Sequence, residues 1–451
     1  MTATALSSPN ESPTTPAPAS NMRPFLTIWA GQLVSLLGSG LTSFAMGVWI
    51  YQQTGKVTPF ALTVLFGTLP RVLLLPFTGS LADRWNRRTM MLLADTGSAL
   101  TTLVVALLLG QGSLQSWHIY FLAIINSICG AFQEPAYHAS VAMLVPKANL
   151  GRANGLLQLS QALETVASPV IAGLLFVSIG LQGIVMVDFF TFFAALVTLL
   201  LVRIPQPVLH AVPGAAKPGW WKDFVSGWSY LRQRQGLFGL LLYYAMLNFL
   251  LNLAGVMSGP LVLSNHPASV LGVVFTTAGI GMLAGSLVIS AWGGPNKNRI
   301  SFIFGCISLG MLGMITIGLG VNPIFPLLGY PVVMFFVPMV SAVSQTIFQG
   351  KVAPEMQGRV FAMRGMLSRS MMPLAFLIAG PLADLLFEPL MSAGGALSDT
   401  ILAEWLGIGP GRGIGLIFIL CGVAALLVSL LFYLNPRIRR IETELPDALA
   451  G

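Results

Sequence analysis

The sequence predicts an all-α integral membrane protein, twelve transmembrane helices in two parallel six-helix bundles, and three observations predict it. Twelve strongly apolar runs follow one another down the chain, each near the roughly 20 residues a spanning helix needs. Basic residues fall almost entirely in every second gap between them. Marks in the first half recur in the second at a constant offset. The composition agrees, with 55% hydrophobic and 8% charged residues among 451, where a soluble domain carries about 25% charged. Lipid offers the backbone no hydrogen bonds, so runs of this length must be helices that satisfy their own amides.

The first 22 residues are rich in Ser, Thr, Pro and Ala, with Glu11 their only ionisable side chain. Without a basic start and an apolar core they read as a disordered cytoplasmic tail and not as a signal peptide. The first bundle, 23–203, holds spans near 25–50, 58–80, 89–110, 117–142, 155–179 and 182–202. A cytoplasmic linker, 204–235, carries Trp220, Trp221, Phe224, Val225, Trp228 and Leu231 at helical spacing, as in an amphipathic helix lying along the headgroups. The second bundle, 236–434, holds spans near 237–263, 268–292, 300–320, 324–350, 360–386 and 412–434, followed by a cytoplasmic tail, 435–451.

Lys and Arg cluster in the gaps around Arg84 to Arg88, Lys147 to Arg152, Lys217 to Arg234, Lys297 to Arg299 and Lys351 to Arg359, and in the tail from Arg437; the opposite gaps offer Lys56 and Arg412. Positive loops stay inside, so both termini are expected on the cytoplasmic side of a cytoplasmic (inner) membrane. The net charge of +8 then reflects topology and anionic lipid, with no nucleic-acid partner implied. Cys129, Cys306 and Cys421 each stand alone in an apolar run, which gives neither a disulfide framework nor a metal site. No G-x-x-x-x-G-K-[ST] loop occurs, so no nucleotide or other cofactor is expected and an ion gradient remains as the energy source. No cluster of nucleophile, His or acid at one membrane face suggests an enzyme, and no catalytic residue is expected. Gly151–Arg152 before span 5 recurs as Gly358–Arg359 before span 11, and Gly173 matches Gly380 at the same offset. With an even number of spans per half, these are parallel repeats, as in transporters with two rocking bundles.

Between spans 2 and 3 stand Gly79, Leu81, Ala82, Asp83, Arg84, Arg87 and Arg88. This resembles the G-x-L-a-D-R-x-G-R-R loop signature of the major facilitator superfamily. Pro70–Arg71, Phe132, Pro135–Ala136, Arg152 to Leu156 and Pro354 to Arg364 narrow the likeness to the drug-efflux branch, similar to macrolide-efflux proteins and enterobactin-type siderophore exporters. Asn86 replaces a family Gly, and a left-handed turn there is expected to survive because Asn tolerates it. The resemblance implies the major facilitator fold and a gating role for the loop. Asp83 would accept amides at the N-terminus of span 11, where the helix dipole favours an anion; Arg84, Arg87 and Arg88 would pair with acids such as Asp95 or with lipid phosphate. Ser168, Pro169 and Gly173 resemble the exporter-associated kink, with Ser in place of its first Gly, and Pro373, Gly380 and Pro381 break span 11 similarly.

Ionisable residues deep in a membrane point to function. Arg71, Glu134 and Glu164 are the deepest, with Asp188 and Asp384 placed nearer the outer surface. Asn126, Gly130, Glu134 and His138 recur every four residues and share one face of span 4. Glu134 and Glu164, with Arg71, are the expected proton-coupling or substrate residues; a static Arg71–Glu134 pair is the alternative. In the superfamily spans 1, 4, 7 and 10 line the cavity, which here implies Gln32, Ser35, Asn126, Asn248, Asn252 and Gln345 as cavity residues. The expectation is a monomeric proton antiporter that exports a small organic molecule, siderophore or macrolide-like, through the lipid bilayer. A lysophospholipid flippase of the same fold and a non-transporting sensor are the alternatives.

Overall fold

A computed structural model describes residues 22–146, 149–204 and 220–444; the side chains at 75–77, 79–84, 142, 220–225, 227, 354–355 and 362 lie outside the described set. All regular structure among the described residues is helical. The first half consists of α1 (Arg23–Thr54), α2 (Val57–Arg84), α3 (Arg87–Gly110), α4 (Ser116–Leu144), α5 (Leu150–Ser178) and α6 (Gly180–Leu201). The linker helix is α7 (Trp220–Gln233). In the second half, α8 (Gln235–Val256) and α9 (Ser258–Leu263) form one broken span. They are followed by α10 (Ala268–Trp292), α11 (Arg299–Gly318), α12 (Ile324–Lys351) and α13 (Pro354–Pro381). A π-helical turn at Leu382–Phe387 leads to α14 (Glu388–Leu390), α15 (Ile401–Leu406), α16 (Arg412–Leu434), α17 (Pro436–Arg439) and α18 (Ile441–Glu444).

Eleven helices among the described residues are long and apolar enough to cross a membrane. The expected span at 117–142 is α4, 29 residues long and about 43 Å at 1.5 Å per residue, but studded with Asn126, Gln133, Glu134 and His138. Asn86 does not take the expected left-handed backbone: its φ is −65°, and its side chain caps α3 by accepting from Thr89 N at 3.2 Å. The left-handed position falls in the equivalent loop of the second half, at Asn298 with φ 58°. Leu231 of α7 is fully buried and Trp228 meets the Phe238 ring edge-on, so this part of the helix packs against protein. The C-terminal segment is docked as well. Ile438 and Ile441 are buried, and Glu442 accepts from Ile300 N at the start of α11 at 2.9 Å.

Small residues set the closest helix contacts. A Cβ at Gly281 would lie 2.7 Å from Pro331 Cα, and one at Gly285 2.8 Å from the Phe335 carbonyl carbon. The backbones of α10 and α12 therefore touch, as small-xxx-small pairs allow in lipid. Gly285→Val should destabilise the protein by about 2 kcal/mol through overpacking, read as a lower thermal midpoint in detergent. Gly305→Ala, with nothing within 4 Å of its Cβ, should leave the midpoint unchanged.

The two halves meet at one end. There α5 packs on α10, where a Cβ at Gly173 would sit 2.8 Å from Ala268 O and one at Gly272 2.7 Å from Pro169 O. The antiparallel α2 and α13 also meet there, Gly380 against Thr58. The apolar core of the second half accordingly takes in Val48, Val57, Ala61 and Leu65 of the first. At the opposite end, the basic end, Arg87, Arg88, Arg152, Arg299 and Arg437 gather, and a Cβ at Gly151, Gly155, Gly358 or Gly365 would meet nothing within 4 Å. The first half has two separate apolar clusters, one around Phe25, Met91 and Leu199 and one around Ala45, Val105 and Ile184. The space between them is polar.

Candidate translocation cavity and gates

A cavity of about 780 Å³ occupies the middle of the first half, and its wall carries Asp95, Glu134, Glu164 and Asp188 against a single guanidinium, Arg71. Gln32, Ser35 and Asn126 line it too. The four-residue spacing on α4 delivers Asn126, Gly130, Glu134 and His138 to this one wall. Arg71 pairs with Glu134 through two nitrogens, its Nε at 3.2 Å, and both side chains remain partly exposed to the cavity. Glu164 receives no hydrogen bond among the described residues; its stem packs on Gly40, and it shares the cavity wall with Arg71.

Asp95 does not pair with Arg87 or Arg88. Gln32 and Gln133 each donate an amide N–H to it at 2.9 Å, which ties α1, α3 and α4 together inside the cavity wall. Arg87 donates to Ala139 O at 2.8 Å, and Arg88 to Leu199 O at 2.9 Å and Leu200 O at 2.7 Å. The Arg87 and Arg88 guanidinium groups fasten the ends of α4 and α6, while Asp95 lines the cavity. Asp188 is a buried wall residue that accepts from Ser39 at 3.2 Å and Thr102 at 3.3 Å. Gly79, Asp83 and Arg84 belong to the last turns of α2, and their side chains lie outside the described residues.

The second half has its own, smaller cavity of about 220 Å³, lined by Tyr244, Asn248, Phe336, Ser341 and Arg364. The residues expected to form one central cavity thus divide between two. Asn252 lines neither; it donates to Asn248 O at 2.6 Å in its own helix. Gln345 also stands outside the lining and accepts from Arg364 at 3.2 Å. No group of three or more metal-ligating side chains occurs among the described residues.

At the closed end the carboxylate of Asp384 accepts from Val57 N at 2.9 Å and Thr58 N at 2.7 Å. These are free amides at the start of α2, where an anion is stabilised, so the contact is a latch between the halves. Arg412, basic but on this same end, is fully buried and donates to Leu406 O and Gly320 O, each at 3.1 Å.

The sequence model of the Major Facilitator Superfamily matches residues 28–376. The chain belongs to that superfamily. Macrolide efflux protein A of Streptococcus pyogenes is 30% identical over 373 residues, covering 80% of this chain and 89% of that protein. The enterobactin exporter EntS of Salmonella paratyphi A is 29% identical over 188 residues, 41% of this chain and 44% of that one. The fold matches the crystal structure of a bacterial homologue of the human lysosomal transporter Spinster, in an inward-facing and unoccupied conformation. The TM-score is 0.65 at 14% identity, over 93% of this chain and 97% of that chain. This is a multi-pass membrane transporter with efflux relatives, not an enzyme.

Proposed function

We propose that this transporter exports a small organic molecule across the cytoplasmic membrane by proton antiport, with the basic end facing the cytoplasm. The charge distribution supports the orientation. Of the two basic residues on the other side, Arg412 is buried on carbonyls and Lys56 alone is exposed. With the latch end closed, access from the cytoplasm would be the loading state of an exporter.

The observation that carries antiport is the wall of four carboxylates against one guanidinium. Asp95 and Asp188 are held by neutral donors, and Glu134 is occupied by Arg71. Glu164 is left as the carboxylate that can exchange a proton and can compete with Glu134 for Arg71. Substrate entry and proton release would break the Asp384 latch. The basic end would then close by the symmetric contact, Asp83 at the end of α2 against the amides that begin α13.

The test is purified protein in liposomes with an imposed pH gradient and a panel of macrolides and catecholate siderophores. Accumulation that requires the gradient and collapses with a protonophore is the expected result. Equal movement of every compound with and without the gradient removes proton coupling.

A further inference from the structure

Arg364 enters the smaller cavity from α13, ten residues into the helix, and among the described residues no acid pairs with it: the ion pair there is Arg71 with Glu134. Its Nη1 donates to Gln345 Oε1 at 3.2 Å and its Nη2 to Ser344 Oγ at 3.0 Å. Its guanidinium carbon lies 4.8 Å from the centre of the Phe348 ring and 5.6 Å from that of Tyr244. The fork is thus fixed in place by neutral acceptors and aromatic faces, with donors left over from the five an arginine carries. Beside it the Tyr244 hydroxyl is buried, with Ser344 near it but no hydrogen bond of good geometry. Asn248, Ser341 and Ser368 complete the polar lining, the rest is aliphatic, aromatic or, at Cys306 and Met311, sulfur-bearing, and no carboxylate lines the cavity.

A cation held rigidly in an apolar pocket, without a counter-ion, is costly unless an anion arrives. Arginine presents a planar fork that suits carboxylate or phosphate oxygens. We infer that the smaller cavity is a binding site for an oxyanion carried on an apolar or aromatic body, with Arg364 and Tyr244 as its recognition groups. This deepens the proposed export function by fixing one end of the cargo. The acidic wall of the larger cavity suits a cationic or donor-rich remainder, so the favoured cargo is dipolar.

A rhodamine free acid and its methyl ester form a matched probe pair that shares a cationic body and differs in one carboxylate. Equilibrium binding to the purified transporter, with no gradient imposed, reads the site independently of transport. Wild-type protein should bind the free acid at least tenfold more tightly than the ester. Arg364→Gln should bring the two together, and Arg364→Lys should keep part of the preference and serve as the folding control. Equal binding of both dyes by wild-type protein, binding of neither, or a preference that survives Arg364→Gln overturns the inference. If Arg364 instead pairs with an acid of the first half when the basic end closes, Arg364→Gln alters the distances between the halves and leaves the dye ratio unchanged, which also overturns it. A preserved dye preference with no gradient-driven transport counts against the antiport reading and not against this site.

Discussion

Asp384→Asn should open the latch end of the transporter. Each of the two hydrogen bonds to this carboxylate crosses between the halves. Hydrogen bonds to charged groups contribute roughly 1.5–3 kcal/mol each. Asn keeps one neutral acceptor, so the closed state should lose about 1.5 kcal/mol, roughly tenfold in population. Ala removes both bonds and should shift it further. Spin labels at Ser113 and Asn322, exposed in the loops after α3 and α11 at this end, report the opening as a longer distance population. The native cysteines are replaced first. Asp83→Asn should favour the opposite change, since its proposed contact holds the other end. An unchanged distance distribution in Asp384→Ala would show that the glycine-lined contacts of α5 with α10 keep this end shut without the carboxylate.

How far the sequence could carry this picture depended on which interactions are local. Span positions follow from lipid's inability to hydrogen-bond the backbone, which leaves a mark along the chain at nearly every residue. The face shared by Asn126, Glu134 and His138 was legible for the same reason, since helix periodicity alone places them together. Partners were not. Asp95 stands eight residues beyond Arg87 in the sequence, so pairing it with the loop was natural. Its carboxylate is claimed by Gln32 and Gln133, which only the packing of α1 and α4 brings near. Asp188 shows the same: its place in span 6 gives no sign of Ser39 and Thr102, which hold it in the cavity wall. Arg364 ends the stretch from Pro354 that carries part of the family resemblance. Its standing as an unpaired cation needed the shape of the pocket around it, although an arginine ten residues into a helix was itself a signal. Asp384 carried a signal too: with α2 and α13 antiparallel, an acid near the end of each would face the other's first amides.

Glu164→Gln should abolish gradient-driven transport, with at least a tenfold loss in inverted vesicles, while exchange of substrate down its own gradient continues. Gln has nearly the shape of Glu and can still pack on Gly40, so the fold and the 780 Å³ cavity should persist. What it cannot do is carry a proton or draw Arg71 away from Glu134. Glu134→Gln should act differently. It frees Arg71 to turn to Glu164 as a permanent counter-ion, which would hold Glu164 ionised and slow proton loading instead of removing the carrier. The two variants therefore separate in a pH profile: Glu164→Gln loses its dependence on the gradient, and Glu134→Gln keeps that dependence at a reduced rate. Matching profiles for both variants and the wild type would take the proton pathway away from this wall. Asp95 and Asp188, each held by neutral donors on two sides, would then be the carboxylates to replace next.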